Sequence, residues 1–441
     1  MTARTLLDAQ ATEPVALRPS LLAWLAAAVF VVTAGYGALM PLLPGWLGPM
    51  MPGSTATEVA RHVGFLSGVY AAGVLVGALL WGVVSDRVGH GRILIIGLIG
   101  YVVSLLLLLV PGVESVWAIY ALRGTTGFFV AAVIPVVSAL VAEYTPEEQR
   151  SRRFAWLGAM SLLGFLFGPG LNVFAAWVGT WFGGAAVSAT LSARVVLGLS
   201  ALLGAVMMLG LARTLPPSRA PAAAARIDSA TSAQGRPVVL LWLNGTLMFV
   251  LAGFELGIVL QGQQEAGQSS RQAALIFAEC SLVMLGVNAL LFFTSLMEKI
   301  AARILIGTGL SLAIIGLFVL AQHRSEMWMY LGVSFTSAGT GLVLPVIAYL
   351  AAGASANQLG TTMGGLAAAA GLGQTLGSAA GGWLFGTFAQ RSFAWLTIPL
   401  LVALIFLLVR PLWWSGVTAK FTRGATRQHG AGLMPAGKGG A

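Results

Sequence analysis

The chain has 441 residues, of which 58% are hydrophobic and only 9% charged. A soluble domain carries roughly 25% charged residues to cover its surface, so a water-facing globule is excluded and the bilayer must serve as solvent. The net charge of +10 would point to nucleic acid in a soluble protein. Here the charges fall in short segments between apolar runs, with no basic stripe interleaved with aromatics, and no nucleic-acid partner is expected.

Residues 1–19 are polar, with Arg4, Asp8, Glu13 and Arg18. They lack the charged-then-apolar order of a cleavable signal and read as a cytoplasmic N-terminal segment. Twelve apolar runs follow, at 20–44, 61–84, 93–112, 115–142, 154–178, 190–213, 237–261, 271–296, 303–321, 326–351, 359–385 and 392–413. Each is near the length of about 20 residues needed to cross a bilayer. They must be helices, because lipid offers no partner to an open backbone, and the short alternating segments of a barrel are missing. The predicted fold class is therefore an all-α membrane protein of twelve transmembrane helices. The 57 glycines suit helices that approach closely in lipid.

Residues 214–236 break the pattern with Pro216, Pro217, Pro221 and an alanine run. This composition reads as a linker between two six-helix bundles, 20–213 and 237–413. The tail, 414–441, is rich in Gly and basic residues and reads as a disordered cytoplasmic segment. Eighteen of the 24 Lys and Arg residues lie on the side of the termini, five on the other side, and Arg123 within a span. That bias places both termini in the cytoplasm of a cell (inner) membrane. The halves also echo each other. Pro135 pairs with Pro345, Gly168 with Gly377, and Asp86-Arg87 with Glu298-Lys299, all at nearly one offset. Two parallel repeats would place a binding site between them near mid-membrane.

Cys280 lies in an apolar run and reads as a small core residue. His62, His90, His323 and His429 are scattered without metal-ligand spacing, so no metal is expected. Between the second and third runs stands Gly82-Val83-Val84-Ser85-Asp86-Arg87-Val88-Gly89-His90-Gly91-Arg92. Its charges can latch adjacent helices and release on rearrangement; they also fit a solvated turn. Arg123-Gly124-Thr125-Thr126-Gly127 puts a charge inside the fourth run. Such a charge is costly and marks function, unless the arginine snorkels to the interface. In the fifth run, Gly164 and Gly168 make a flat face for helix contact and Pro169 bends the helix. Thr145 and Glu148, with Pro146 between them, have the spacing of a helix start.

In this order, the motifs resemble those of the major facilitator superfamily. Gly82, Asp86, Arg87 and Gly89 match its loop signature G-x-x-x-D-R-x-G-R-[KR]; His90 and Gly91 depart from it and Arg92 comes one position late. Glu298, Lys299 and Arg303 resemble the degenerate second copy. Arg123 and Gly127 match R-x-x-x-G, whose arginine the resemblance associates with proton coupling. Gly164, Gly168 and Pro169 match the start of the antiporter motif G-x-x-x-G-P-x-x-G-G, with Asn172 and Val173 in place of its last glycines. The eleventh run, from Gly373 to Gly382, repeats that motif with Ser378 for the proline. The likeness is greatest to the twelve-helix drug:proton antiporter branch, and it implies export.

Glu255 and Glu279 are the other charges inside runs. They lie roughly 6 and 8 residues, about 9 and 12 Å, from the outer ends of their helices, a depth similar to that of Arg123. A carboxyl in a low-dielectric site binds a proton near neutral pH, so Glu255 or Glu279 is the expected proton carrier, with Arg123 tuning it. Tyr36, Phe249 and Trp383, with Gln261, Asn288 and Gln374, are candidates to line an amphipathic cavity. No G-x-x-x-x-G-K-[ST] phosphate loop occurs, so a proton gradient is the expected energy source, without a cofactor. The expected protein is a transporter, not an enzyme, working as a monomer in the lipid bilayer with protons and a small molecule as partners. It would be a proton-coupled exporter of small amphipathic molecules or drugs. Export of an endogenous metabolite such as a siderophore, and import or facilitation on the same fold, are the alternatives.

Overall fold

A computed structural model describes residues 18–110, 115–145, 147–183, 188–215, 236–264, 270–294, 296–323, 325–354 and 359–409. The tail expected from composition, and nearly all of the linker and of the N-terminal segment, lie outside the described residues.

The described chain is helical. Helix α1, Pro19–Leu39, stops where Pro41 and Pro44 withhold backbone donors, and short turns lead into α2, Leu43–Leu47. Helix α3, Ala56–Val88, starts ahead of the apolar run expected at 61–84. The cause is a capping box: the Thr55 amide donates to Glu58 Oε2 at 2.7 Å and the Glu58 amide donates to Thr55 Oγ1 at 3.3 Å. It ends at Gly89, whose φ of 102° no side-chain-bearing residue adopts easily. Helix α4 is His90–Leu107. The fourth run is split into α5, Val116–Val130, and α6, Ile134–Glu143, with Pro135 in the first turn of α6. Helices α7, Glu147–Gly183, and α8, Ala189–Thr214, complete this part. Beyond it come α9, Arg236–Gln264; α10, Ser270–Phe293; the short α11, Leu296–Lys299; α12, Ala302–Gln322; α13, Glu326–Ala354; α14, Leu359–Phe388; and α15, Ser392–Val409. Pro345 sits inside α13 without ending it, unlike its counterpart Pro135.

Among the described residues, ten stretches are long and apolar enough to cross a membrane, against the twelve expected. Two places make the difference. The apolar stretch described in α10, Leu275–Leu291, is shorter than the run expected at 271–296. The stretch Gly364–Val409 has 46 residues; as one helix it would be about 69 Å long, more than twice the hydrocarbon thickness of about 30 Å. It is in fact α14 and α15, separated by the turn Ala389–Arg391, where Ala389 has φ 49°.

Helices up to Thr214 pack mainly among themselves: α1 on α7 and α8, α3 on α5, and α4 on α5 and α8. Those from Arg236 onward do likewise: α9 on α14 and α15, and α13 on α10 and α12. The broadest contacts between the two sets are α3 with α14 and α7 with α10. Glycine sets these distances. A Cβ on Gly168 would lie 2.6 Å from the Gly37 carbonyl carbon, and one on Gly164 would overlap Thr33 and the Phe30 carbonyl. The equivalent face of α14 meets α9 in the same way, Gly373 against Gly245, Gly377 against Phe249 and Gly381 against Gly253. Contacts this close are what van der Waals packing requires where lipid removes the hydrophobic drive between helices.

Gly170 tests this account from the same helix, because a Cβ there meets nothing within 4 Å. Gly168→Ala should destabilise the protein by about 1–3 kcal/mol through overpacking. Gly170→Ala should be neutral or slightly stabilising. Thermal midpoints of the two purified variants in detergent check this; equal losses would show that the close approach does not set stability.

Candidate functional site

The site begins with the close approach of α3 and α5. Gly124 and Gly127 press on the backbone of α3 at Gly73 and Tyr70, where a Cβ would overlap. The Tyr70 ring is thereby brought over the Arg123 guanidinium, whose central carbon lies 4.4 Å from the ring centroid. Arg123 is 2% exposed, which excludes snorkelling. A desolvated cation over an aromatic face gains about 2 kcal/mol or more. Behind Tyr70 the Tyr36 ring of α1 stacks at 5.2 Å. These groups line a small cavity together with Tyr101, Thr126 and Ser200. Thr126 Oγ1 donates to the Ser104 hydroxyl at 3.0 Å. Among the described residues, no group accepts a hydrogen bond from Arg123 Nε or Nη2.

The two acids stand on α9 and α10. Glu255 of α9 is buried, and no hydrogen-bond or ion-pair partner reaches it among the described residues. Glu279 of α10 is half-buried; Ser334 of α13 donates to its Oε1 at 2.6 Å, and its Oε2 is buried without a partner among the described residues. Cys280 stands within electrostatic reach of both acids, and its sulfur accepts from Ser337 at 3.1 Å. Tyr36 stands in the field of Glu255 and of Arg123, with its hydroxyl towards Gln374. An aromatic row joins the two sets of helices beside it: Tyr36 to Phe165 at 6.0 Å and Phe165 to Phe277 at 6.0 Å. Ring contacts thus make a polar track from Arg123 through Tyr70 to Tyr36, which has Glu255 within its electrostatic reach.

The other expected residues are placed less together. Gln261 is 4% exposed, and neither end of its amide has a partner among the described residues. Asn288 donates to the carbonyl of Met284 on its own helix at 2.8 Å. Phe249 is half-buried, its backbone against Gly377. Trp383 does not join the track; it is 47% exposed and packs edge-on to Phe388 at 6.5 Å. Of the latch residues, Arg87, Arg92 and Lys299 are exposed and Gly82 has open space where a Cβ would be. Arg303 donates to the carbonyl of Leu408 at 3.2 Å. The side chains of Asp86, Glu298, Pro169 and Glu148 lie outside the described residues.

Sequence reasoning passed over Tyr70, Tyr101, Ser200 and Ser334. The available signal was a polar tip within an apolar run, since Tyr and Ser hydroxyls in lipid need a partner. Which of the many such residues matter depends on helix rotation, and the glycine contacts set that.

A profile of the Major Facilitator Superfamily matches residues 25–291, more than half the chain. The chain belongs to the major facilitator superfamily. As a member it is a transporter, not an enzyme. Similar proteins include the class G tetracycline resistance protein of Vibrio anguillarum, 27% identical over 392 residues, 86% of this chain and 93% of that one. The class B tetracycline resistance protein of Escherichia coli is 35% identical over 144 residues, 32% of this chain and 34% of that one. The quinolone resistance protein NorA of Staphylococcus aureus is 29% identical over 150 residues, 34% of this chain and 37% of that one. The chain thus matches about a third of the length of the last two. These relatives agree with the resemblance to the drug:proton antiporter branch. Among solved structures, the human organic anion transporter MFSD10 (TETRAN) superposes with TM-score 0.66 at 20% identity, over 89% of this chain and 100% of that one. The peptide transporter POT in complex with sulfate does so with TM-score 0.71 at 15% identity, over 94% and 99%. At such identities the likeness is one of fold.

If the Tyr70 ring shields Arg123, Tyr70→Leu should cost about 2 kcal/mol, while Tyr70→Phe keeps most of the stability. Unfolding of both variants in denaturing detergent measures the difference. Equal losses would assign the effect to the hydroxyl.

Proposed function

We propose that this member is a proton-coupled exporter of small amphipathic molecules or drugs, working by alternating access. The observation that carries the reading is Glu255: an acid buried within a membrane-spanning stretch, without a partner among the described residues, beside a tyrosine that also senses Arg123. A carboxyl largely withdrawn from water, with no ion-pair partner among the described residues, is tolerated in its neutral form, and a neutral carboxyl is a stored proton. Loss of that proton to the cytoplasm leaves a carboxylate, which favours a rearrangement that exposes it to water. Glu279, reached through Cys280, is the second candidate on the path. The resistance proteins among the relatives support drugs as substrates and export as the direction.

Twelve crossings in two six-helix halves, with both termini in the cytoplasm of the cell membrane, are part of this reading. The matching glycine faces of α7 on α1 and α14 on α9 support the repeat, and the charge bias supports the orientation. Helix α3 meets α14 from Thr57 to Leu75, whereas a Cβ on Gly82 would meet nothing within 4 Å. With Thr57 at the outer end, this supports an inward-facing state. The exposed charges of the loop motif fit a latch that is released in that state. Tyr36, Phe249, Gln261 and Gln374 belong to the proposed substrate path.

The test is transport into proteoliposomes under an imposed pH gradient, with a tetracycline and a fluoroquinolone as probes. Glu255→Gln should lower gradient-driven transport at least about tenfold, while probe binding, read by fluorescence quenching, persists. Glu279→Gln should give a smaller loss. Full coupled transport in both variants, or transport insensitive to a proton uncoupler, would overturn the proposal.

A further inference from the structure

Helices α4 and α8 pack against each other, and their glycines record the register. A Cβ on Gly91 would lie 3.7 Å from the Leu215 side chain, one on Gly204 would lie 3.0 Å from Tyr101 and Val102, and one on Gly198 would lie 3.8 Å from Leu109. The helices therefore run antiparallel, with the start of α4 beside the end of α8. In this register Ile96 is level with Leu209, Ile99 with Val206 and Val103 with Leu202, and all six are exposed. Their spacing of three and four residues makes one apolar stripe on each helix. Both stripes end on charge. One turn further on, Arg92 is level with Arg213, and both are exposed. Neither helix contains an Asp or Glu, and neither arginine makes a hydrogen bond or an ion pair among the described residues.

Packed helices stand about 8–10 Å apart, so two positive charges at one level on neighbours repel, and an anion held by both removes the repulsion. The apolar stripes that lead away from the arginines specify the rest of the guest. It carries a negative head and long apolar chains. We propose that the α4–α8 face binds one anionic phospholipid, such as phosphatidylglycerol, with its phosphate on Arg92 and Arg213 and its acyl chains along the stripes. The guanidinium fork matches phosphate oxygens better than a point charge does. The second set of helices gives the contrast. Arg303 of α12 follows Arg92 at nearly the offset of the other repeat pairs, but its Nη2 donates to the Leu408 carbonyl of α15 at 3.2 Å. That guanidinium is already engaged, so the lipid belongs to the first set alone. With the termini in the cytoplasm the lipid is one of the inner leaflet. The site requires only that α4 and α8 cross the membrane; the direction and coupling of transport do not enter.

The test is titration of the purified full-length protein in detergent, at fixed ionic strength, with dioleoylphosphatidylglycerol or dioleoylphosphatidylcholine. Native mass spectrometry counts the lipid retained. One phosphatidylglycerol should be held at concentrations where phosphatidylcholine is not. Arg213→Gln should lower that preference roughly fivefold, and Arg92→Gln with Arg213→Gln roughly thirtyfold. Arg213→Lys, which keeps the charge, should retain most of it. Arg92 belongs to the loop motif and Arg213 does not, so the Arg213 variants read the lipid apart from any latch. Arg303→Gln removes the same charge elsewhere and should leave the preference intact. Equal retention of the two lipids would overturn the site, as would an unchanged preference in the double variant. An equal loss in Arg303→Gln would reduce the effect to total charge, and displacement by an equal concentration of inorganic phosphate would make it a site for a free anion; either result also overturns the proposal. No gradient or transported probe is present, so failure here leaves the assignment of Glu255 standing, and failure of proton coupling leaves this site standing.

Discussion

Helices in lipid gain nothing from hiding apolar side chains from one another, so their association depends on how closely their backbones can approach. In this chain that constraint organises the rest. Gly164 and Gly168 seat α7 on α1, Gly373, Gly377 and Gly381 seat α14 on α9, and Gly124 and Gly127 seat α5 on α3. Each seat fixes a helix rotation, and the rotation decides which polar tips meet. Tyr70 lies over Arg123 because its own carbonyl lies against Gly127. The motif glycines are therefore upstream of the charged site.

The polar track that results crosses from one set of helices to the other with a single positive charge at one end and two acids at the other. Tyr36 stands between them, stacked on Tyr70 and in the field of Glu255. Opposite charges separated by a neutral phenol do not collapse into an ion pair, which in a dry interior would be hard to break again. The separation leaves the acids able to change protonation.

Much of this was legible in the sequence, for identifiable reasons. Apolar runs of bilayer length announce spans, and among the described residues α14 and α15 run together in composition. Arg123, Glu255 and Glu279 stood out because charges in such runs are rare. That Arg123 and Glu255 both act on Tyr36 was not legible, since it depends on tertiary rotation. Trp383 shows the limit most plainly: two residues from Gly381, which faces α9, it is exposed. The start of α3 was missed for another reason: Thr55 and Glu58 cap it, and hydropathy does not register hydrogen bonds.

At the centre of the contact of α3 with α14, Gly64 and Gly68 lie against Ser378, Ala379 and Gly382, residues with few or no rotamers to lose. Long side chains that interlock forfeit up to about 2 kcal/mol each in conformational freedom when they are fixed. An interface of bare backbone forfeits almost none on closing and recovers almost none on opening. Its two arrangements can therefore lie within a few RT of each other. In the proposed alternating-access cycle, a difference that small can be tipped by one proton.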